Sequence, residues 1–187
     1  TDADSDADID SDTDSDSDTD SLDPPPGCEG AILFKDPVLE SAIRFAINMP
    51  KGEIHYSDTV DLFVLQVESF GLEDSVVDLT GIHCLDNLWE LHIVRWEDMD
   101  ELEHLDEIPL MDDLTPISTL TQLRMLSICG YWIEDISPLE SLVNLSNLSL
   151  AFNRVKDLSP LEDMSQLEVL NIWQNEVSDL EQIGSLS

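Results

Sequence analysis

The chain has 187 residues, of which 42% are hydrophobic, enough for one well-formed core and a tail. Its 42 Asp and Glu against 7 Lys and Arg give a formal net charge of −35. This charge disfavours nucleic acid and anionic membranes as partners and favours cationic partners or simple solubility. The sequence contains no run of eighteen apolar residues, so it predicts no transmembrane helix.

The first segment, residues 1–27, is an acidic spacer followed by a proline-rich linker. Asp alternates with Ser, Thr, Ala or Ile through residues 1–23, which hold no Lys or Arg. Such a tract buries too little apolar surface to offset its ordering entropy, and its charges repel, so we predict a disordered spacer. It lacks the Gly turn and closing bidentate acid of an ordered calcium loop. We therefore expect at most weak, nonspecific Ca²⁺ binding there.

The next segment predicts a helix that begins at Asp36 and Pro37. Asp36 is a suitable N-cap, and Pro37 fits the first helical position. The apolar residues that follow are interpreted as one helical face: Leu39, Ala42, Ile43, Phe45, Ala46 and Ile47. Pro50 and Gly52 end this helix. The short apolar run before it, residues 31–34, predicts a first strand or strap.

From residue 61 onward the chain is built from a repeating unit, and its later copies are 22 residues apart. The motif L-x-x-L-x-L, with Ile allowed at its last position, recurs in register from Leu123, Leu145 and Leu167. A second motif, Asp-Ile/Leu-Ser-Pro-Leu, follows from Asp135 and Asp157, with a weaker copy from Asp179. Self-similarity at a fixed short period predicts one supersecondary unit stacked on itself. Each turn then buries its leucines only against its neighbours.

Each unit combines a strand with a short return. Alternation of apolar and polar residues across L-x-L predicts a strand with one buried face, so that Leu126 and Ile128 point into the core. Proline recurs at Pro116, Pro138 and Pro160 and favours a short extended or 3₁₀ return over a full helix. The strands of successive units then stack about 4.8 Å apart into a parallel ribbon.

The period and these motifs resemble the leucine-rich repeat in its 22-residue, internalin-like form, known from bacterial proteins. The block Asp36–Arg44 resembles the helical N-terminal cap of such proteins, which covers the open end of the first repeat's core. The resemblance implies an α/β solenoid: a right-handed coil with a parallel strand ribbon, a 3₁₀ or extended convex side and a helical cap over residues 28–60. Residues 61–187 then form about five repeats, the last truncated. In this family an Asn hydrogen-bonds backbone where the chain leaves the strand, and Asn153 and Asn175 occupy that position.

The first two repeats depart from the 22-residue period. Phe70 and Trp96 stand at their Asn positions, so we expect aromatic packing to replace the usual backbone hydrogen bond. An insertion across residues 97–113 holds acidic residues and no Lys or Arg. One interpretation is a solvated acidic decoration, and the other is a docking loop for a basic partner. The acids that would carry this docking are Glu97, Asp98, Asp100, Glu101 and Glu103.

The 3 cysteines leave the disulfide state open. At most one bridge can form among Cys28, Cys84 and Cys129, and the sequence does not select among the three pairings. One interpretation is that all are buried free thiols, since Cys packs as a small hydrophobe. The other is a Cys28–Cys84 bridge that ties the cap to the first repeat, which depends on geometry.

The residues flanking the inward leucines predict a binding face on the concave side of the coil. Phe152 and Trp173 are apolar where a solvated ribbon should be polar, and adjacent repeats bring them close. The alternative is that they pack on each other or on the following repeat. Our hypothesis is a patch for a protein ligand, with these residues: Glu90, His92, Arg95, Met125, Phe152 and Trp173.

Enzyme motifs are absent from the sequence, which contains no P-loop, dinucleotide fingerprint, H-E-x-x-H or G-x-S-x-G pattern. The 4 His lack metal-ligand spacing, so we expect no catalytic residue, metal site or cofactor. We predict a non-catalytic module of an exported or cell-surface protein that recognises a protein ligand. Its alternatives are an intracellular scaffold for an enzyme and a targeting arm of a larger enzyme. The chain begins at Thr1 and stops inside a repeat, so we expect a piece of a longer protein, with membrane contact only through an anchor upstream of Thr1.

Overall fold

The computed structural model describes residues 23–70, 74–96 and 111–179. The Asp tract of residues 1–22 lies outside these ranges. So do the acids proposed for docking in the insertion, namely Glu97, Asp98, Asp100, Glu101 and Glu103.

The predicted cap helix, α1, spans Pro37–Ala46, and a single-turn helix, α2, spans Tyr56–Thr59. Asp36 caps α1, since its Oδ1 accepts hydrogen bonds from the backbone N–H groups of Val38 and Leu39 at 2.9 and 3.0 Å. The expected apolar face is only partly right. Leu39 and Ile43 are fully buried, whereas Phe45 is 90% exposed. At 100° per residue, Phe45 lies about 200° around the helix from Ile43 and so faces solvent.

The chain before α1 is a strap across the first repeat rather than a strand. Its only regular pairing in the described region is an antiparallel bridge between Ala31 and His55. Phe34 of the strap is buried, while Leu33 is exposed. The strap crosses Gly81, where φ is +95° and an added Cβ would lie 2.6 Å from the Leu33 carbonyl oxygen. Glycine at this position therefore permits both the backbone conformation and the close approach.

Five parallel strands form the predicted ribbon in chain order. Their bounds are β1 Val64–Ser69, β2 Glu90–Arg95, β3 Met125–Cys129, β4 Asn147–Ser149 and β5 Val169–Asn171. The register aligns the predicted inward leucines in one column: Leu65, Leu91, Leu126, Leu148 and Leu170. The first four are buried, and the core continues unbroken from the cap to Leu167. The predicted solenoid is confirmed.

The opposite side of the coil is made of 3₁₀ turns, as the prolines predict. These span Ile82–Cys84, Thr115–Ile117, Ser137–Leu139 and Ser159–Leu161. An Asp two residues upstream organises the entry to each proline-containing turn. For example, Asp135 Oδ1 accepts the backbone N–H of Ser137 at 2.8 Å. Equivalent bonds join Asp113 to Thr115 and Asp157 to Ser159.

Asn153 and Asn175 form the predicted backbone ladder. The buried Asn153 accepts from the N–H groups of Tyr131 and Ile133 and donates to three carbonyl oxygens. Asn175 makes the equivalent bonds one turn later. The expectation for Phe70 and Trp96 is wrong, because their side chains are 78% and 54% exposed and pack into no core. Strands β1 and β2 are each six residues long and end just before these positions, where the aromatic rings turn outward.

A disulfide joins Cys28 to Cys84, and Cys129 is a free thiol. This is the second of the two interpretations of the cysteines. Asp36 reinforces the same junction, since its Oδ2 accepts the backbone N–H of Val77 at 2.7 Å while Oδ1 caps α1. The cap is therefore fixed to the first repeat by a covalent link and a buried carboxylate. In the described part of the chain, no helix is both long and apolar enough to span a membrane.

Candidate binding site on the concave face

A pocket of about 450 Å³ opens on the ribbon face that lies opposite the core. We call it the ribbon pocket. It is lined by Gln66, Glu68, His92, Val94, Arg95, Trp96, Ser127, Cys129, Gly130, Trp132, Ser149, Ala151, Phe152, Asn171 and Trp173. These residues come from all five strands and from the segments just after them, so successive repeats build the pocket together.

Small side chains on the third and fourth repeats create the depression. Ser127, Cys129, Ser149 and Ala151 stand where larger residues would fill the space. Gly130 extends this floor, with φ at +84° and an ideal Cβ position only 2.6 Å from the Arg95 carbonyl oxygen. A side chain at that position would displace the backbone of the neighbouring strand. The depth of the pocket therefore depends on the small residues of these two repeats.

Phe152 and Trp173 form one wall of the ribbon pocket. Their ring centroids are 4.8 Å apart with an interplanar angle of 82°, an edge-to-face contact. Trp173 nevertheless remains 62% exposed. Phe152 has a left-handed backbone, with φ at +58°, although a bulky residue rarely adopts it. Its N–H donates to the Trp173 carbonyl at 2.8 Å, which helps to hold it there.

Arg95 and Trp132 line the second wall of the ribbon pocket, and Tyr131 and Arg154 lie next to them outside its lining. The Arg95 guanidinium lies 5.4 Å from the Tyr131 ring centroid and 5.9 Å from that of Trp132, and Arg154 lies 4.5 Å from the Trp132 centroid. Trp132 therefore has cations near its ring from two repeats. Arg95 is only 5% exposed, so it supports this wall more than it presents charge to a ligand. Burial raises the pKa of the Tyr131 phenol. The Ser69 hydroxyl and the Arg95 charge act in the opposite direction and lower this pKa by a smaller amount.

A polar network occupies the end of the pocket near the cap. His92 Nε2 lies 2.9 Å from Glu90 Oε1, and Gln66 Nε2 donates to the same oxygen at 3.4 Å. Glu90 thus orients two neighbouring polar side chains on adjacent strands. The His92 and Glu90 side chains are 25% and 16% exposed, and His92 lines the pocket.

The structure brings together most of the residues predicted for the concave site. His92, Arg95, Phe152 and Trp173 line the ribbon pocket. Glu90 contacts His92 but is not among the lining residues, and Met125 lies beside it at the start of β3.

Sequence reasoning missed Trp96 and Trp132 as parts of this site. The sequence predicts only packing for Trp96, at the Asn position of its repeat. Trp132 lies in a segment outside the strand pattern, and its ring reaches the pocket through a left-handed backbone with φ at +59°. The signal that could have indicated it is Gly130 two residues earlier, which breaks the strand and lets the chain turn toward the pocket.

Possible metal ligands meet at one point of the described residues, away from the ribbon pocket. Cys28, His83 and Cys84 place their ligand atoms within 4.8 Å of one another. The two sulfur atoms are joined in the disulfide, so this group serves as a covalent link between the cap and the first repeat.

Known proteins resemble the chain in repeat and fold. A family profile described as leucine-rich repeats in two copies matches residues 143–185. An internalin from Listeria monocytogenes superposes with a TM-score of 0.57 at 26% identity, over 89% of this chain and 50% of its own. An internalin C2 from that species superposes with a TM-score of 0.40 at 21% identity, over 83% of this chain and 92% of its own. A leucine-rich-repeat protein from Leptospira interrogans superposes with a TM-score of 0.44 at 20% identity, over 70% of this chain and 37% of its own. No curated protein sequence matches the chain.

The chain spans about half the length of the Listeria internalin with the TM-score of 0.57. The matched repeats, the parallel ribbon, the 3₁₀ returns and the asparagine ladder together define a leucine-rich-repeat protein. Within that class, the 22-residue period and the likeness to that internalin show repeats of the internalin-like form.

Proposed function

We propose that this chain is the recognition module of an exported bacterial protein and binds a protein ligand with its concave face. Leucine-rich-repeat proteins generally mediate protein–protein interaction, and the fold is typically non-catalytic. The observation that carries the proposal is the exposed Trp173, 62% accessible and braced by Phe152 at the mouth of the ribbon pocket.

Exposed aromatic residues on a rigid scaffold are suited to binding. Tryptophan and tyrosine are enriched among the residues that dominate binding energies, because they bury a large area and lose little conformational freedom. Here the edge-to-face contact with Phe152 restrains Trp173 before any ligand arrives. His92 and Glu90 add a hydrogen-bonding rim at the other end of the pocket. Together they form a patch with an apolar centre and a polar edge, the usual anatomy of an interface.

The disulfide supports the assignment to an exported protein. Bridges such as Cys28–Cys84 persist in oxidising compartments and are rare in the cytosol. The likeness to an internalin points in the same direction. We propose that the chain divides into a spacer and linker over residues 1–27, a cap over 28–60 and repeats over 61–187. In this scheme the Asp tract holds the recognition module away from its anchor.

The proposal is tested by affinity capture on immobilised protein. The bait comprises residues 24–187, exposed to extracts of surface proteins from candidate host cells, and the retained proteins are identified by mass spectrometry. A double variant, Trp173→Ser with Phe152→Ser, removes the aromatic wall. We expect a specific protein to be retained by the native bait and lost from this variant, with its affinity reduced at least about tenfold.

A second double variant controls for the general loss of exposed aromatic surface. Phe45 on α1 and Trp89 before β2 are 90% and 40% exposed and lie outside the ribbon pocket. Phe45→Ser with Trp89→Ser should retain the same protein as the native bait. If all three baits retained the same set, the concave aromatic wall would not be the binding site, and the proposed function would be wrong.

A further inference from the structure

The ribbon pocket has nearly no net charge, although it belongs to a chain with a formal charge of −35. Among its described lining residues, the exposed Glu68 is the one acid and the buried Arg95 the one permanently charged base, so the lining carries one charge of each sign. A basic ligand would find little complementary charge inside, and an anionic ligand would approach against the field of the whole chain. The chemistry of the pocket therefore favours an uncharged ligand.

The apolar part of the pocket is made of flat aromatic rings. Trp96, Trp132, Phe152 and Trp173 line it, and Trp96 and Trp173 are both more than half exposed. The face of an aromatic ring carries partial negative charge and attracts polarised C–H groups. A pyranose ring presents such C–H groups on one face and hydroxyl groups around its rim. The exposed indoles of Trp96 and Trp173 are suited to that shape, whereas the Trp132 ring already has Arg95 and Arg154 against it.

The polar part of the pocket consists of side chains that can both donate and accept hydrogen bonds. The central column of the ribbon holds Gln66, His92, Ser127, Ser149 and Asn171, and each of the five lines the pocket. Amides, hydroxyls and an imidazole are suited to pair with sugar hydroxyl groups, which likewise donate and accept. Because successive strands lie about 4.8 Å apart, the column is a regular row of polar groups.

The pocket does not offer the features that an extended peptide normally uses. The three central strands below it, β2 to β4, pair with neighbours on both sides, so the middle of the floor presents side chains and no strand edge for added backbone hydrogen bonds. Its volume of about 450 Å³ falls in the range of small-molecule pockets, roughly 300–1,000 Å³. A compact ligand such as a short saccharide fits these limits.

We propose that the ribbon pocket is a binding site for an uncharged saccharide, either free or carried by a larger partner. The aromatic wall packs against the sugar ring, and the central polar column binds its hydroxyl groups. This inference goes beyond the proposed function, because it names a ligand class for the pocket itself and does not depend on which protein is captured.

The test is a titration of the full 187-residue chain with three neutral oligosaccharides: cellotetraose, maltotetraose and triacetylchitotriose. Tryptophan fluorescence and calorimetry report binding. We expect at least one sugar to bind saturably with a dissociation constant near or below about 1 mM, independently of salt because no ion pair forms. Trp173→Ala and Asn171→Ala should each weaken binding about tenfold. Both side chains are exposed, so circular dichroism should show that both variants remain folded.

Trp89→Ala is the matched control, since Trp89 is 40% exposed at the other end of the strands and does not line the pocket. It should leave sugar affinity unchanged. The inference is overturned if none of the three sugars binds, if Trp89→Ala weakens binding as much as Trp173→Ala, or if a neutral proline-rich peptide binds the pocket more tightly and displaces the sugar. Protein capture could still succeed in each of these cases, so the two proposals fail separately.

Discussion

Single polar residues determine how each turn of this coil closes. Asn153 is the clearest case, because its one side chain pairs five backbone groups from two successive turns. Those groups lie at the buried end of the strand, where water cannot replace the missing partner. Tyr131 holds the equivalent position one turn earlier and is fully buried, but its ring fills space without making this ladder. The register of the third and fourth turns therefore depends on Asn153.

The first prediction concerns Asn153→Ala. The substitution leaves the N–H groups of Tyr131 and Ile133 and the carbonyl of Ile128 without their partner in a buried region. We expect the free energy of unfolding, measured by urea denaturation, to fall by about 3 kcal/mol or more. Asn144→Ala is the control, because Asn144 is exposed and donates one bond, to Thr121, so its loss should cost less than about 1 kcal/mol. Equal losses for the two variants would contradict the ladder's role.

At the scale of the element, the cap and its attachment carry the largest single constraint. The Cys28–Cys84 bridge closes a loop with a sequence separation of 56 residues. Asp36 binds the start of α1 and the backbone of Val77 with one buried carboxylate. In a solenoid each repeat contacts only its neighbours, so an uncovered first repeat would expose the end of the core. The cap is therefore a condition for the stability of the repeats that follow.

The second prediction is that the cap bridge stabilises the fold and the free thiol does not. Cys28→Ala with Cys84→Ala should lower the free energy of unfolding by at most about 4 kcal/mol, the loop-closure estimate for a loop of this length. Cys129→Ala should change it by much less, because Cys129 is unbridged and only partly buried. Thiol titration of the denatured native chain should find one reactive thiol. Three thiols, or equal stability of both variants, would contradict the bridge.

The elements could be predicted from sequence wherever a local period set them. The leucine columns, the 3₁₀ turns at Pro138 and Pro160 and the N-cap at Asp36 follow from spacing and residue type alone. The outward turn of Phe45 also follows from spacing, at 100° per residue, and was missed because apolarity was given more weight than helical position. Phe70 and Trp96 were missed because the position after a strand does not by itself show whether an aromatic ring turns inward or outward.

The ribbon pocket could be predicted only in part. Phe152 and Trp173 were found because they break the polar pattern of the strand face. Trp132 was not, because its placement depends on a left-handed backbone and on an arginine contributed by another repeat. The volume of the pocket results from small residues on two neighbouring turns, which no single repeat reveals.

At the scale of the whole molecule, one kind of turn recurs along the convex side. In each copy an Asp carboxylate accepts the backbone N–H of the residue two positions later. The Thr80 side chain and N–H lower the pKa of Asp78, and Thr115 does the same for Asp113. The backbone N–H and side chain of Ser137 lower the pKa of Asp135. Each carboxylate accepts these bonds better when ionised. A chain with a formal charge of −35 thus uses some of its acids as structural parts.

The last prediction follows from the sign of these shifts. A carboxyl whose pKa is lower in the folded state than in the unfolded state, where it is about 3.9, stabilises the fold above that pH. This contribution disappears as the pH falls through the folded pKa values, because the protonated acid is a poorer acceptor. Urea midpoints measured from pH 7 to pH 3 should therefore drop below about pH 4. They should drop less in the triple variant Asp78→Asn, Asp113→Asn, Asp135→Asn, which keeps the amide oxygen and lacks the titrating group.

A charge-matched control separates the turns from the general relief of repulsion. Asp61→Asn, Glu134→Gln and Asp163→Asn also remove three negative charges, all from exposed side chains. Both triple variants reduce self-repulsion by a similar amount near neutral pH. The turn variant also loses the stabilisation that its ionised carboxylates give there, so it should be the less stable of the two at neutral pH. Below about pH 4, however, only the turn variant should show the shallower loss, since only it lacks the carboxylates that the turns bind. If the two variants followed the same curve, the acids of the convex turns would act through net charge alone.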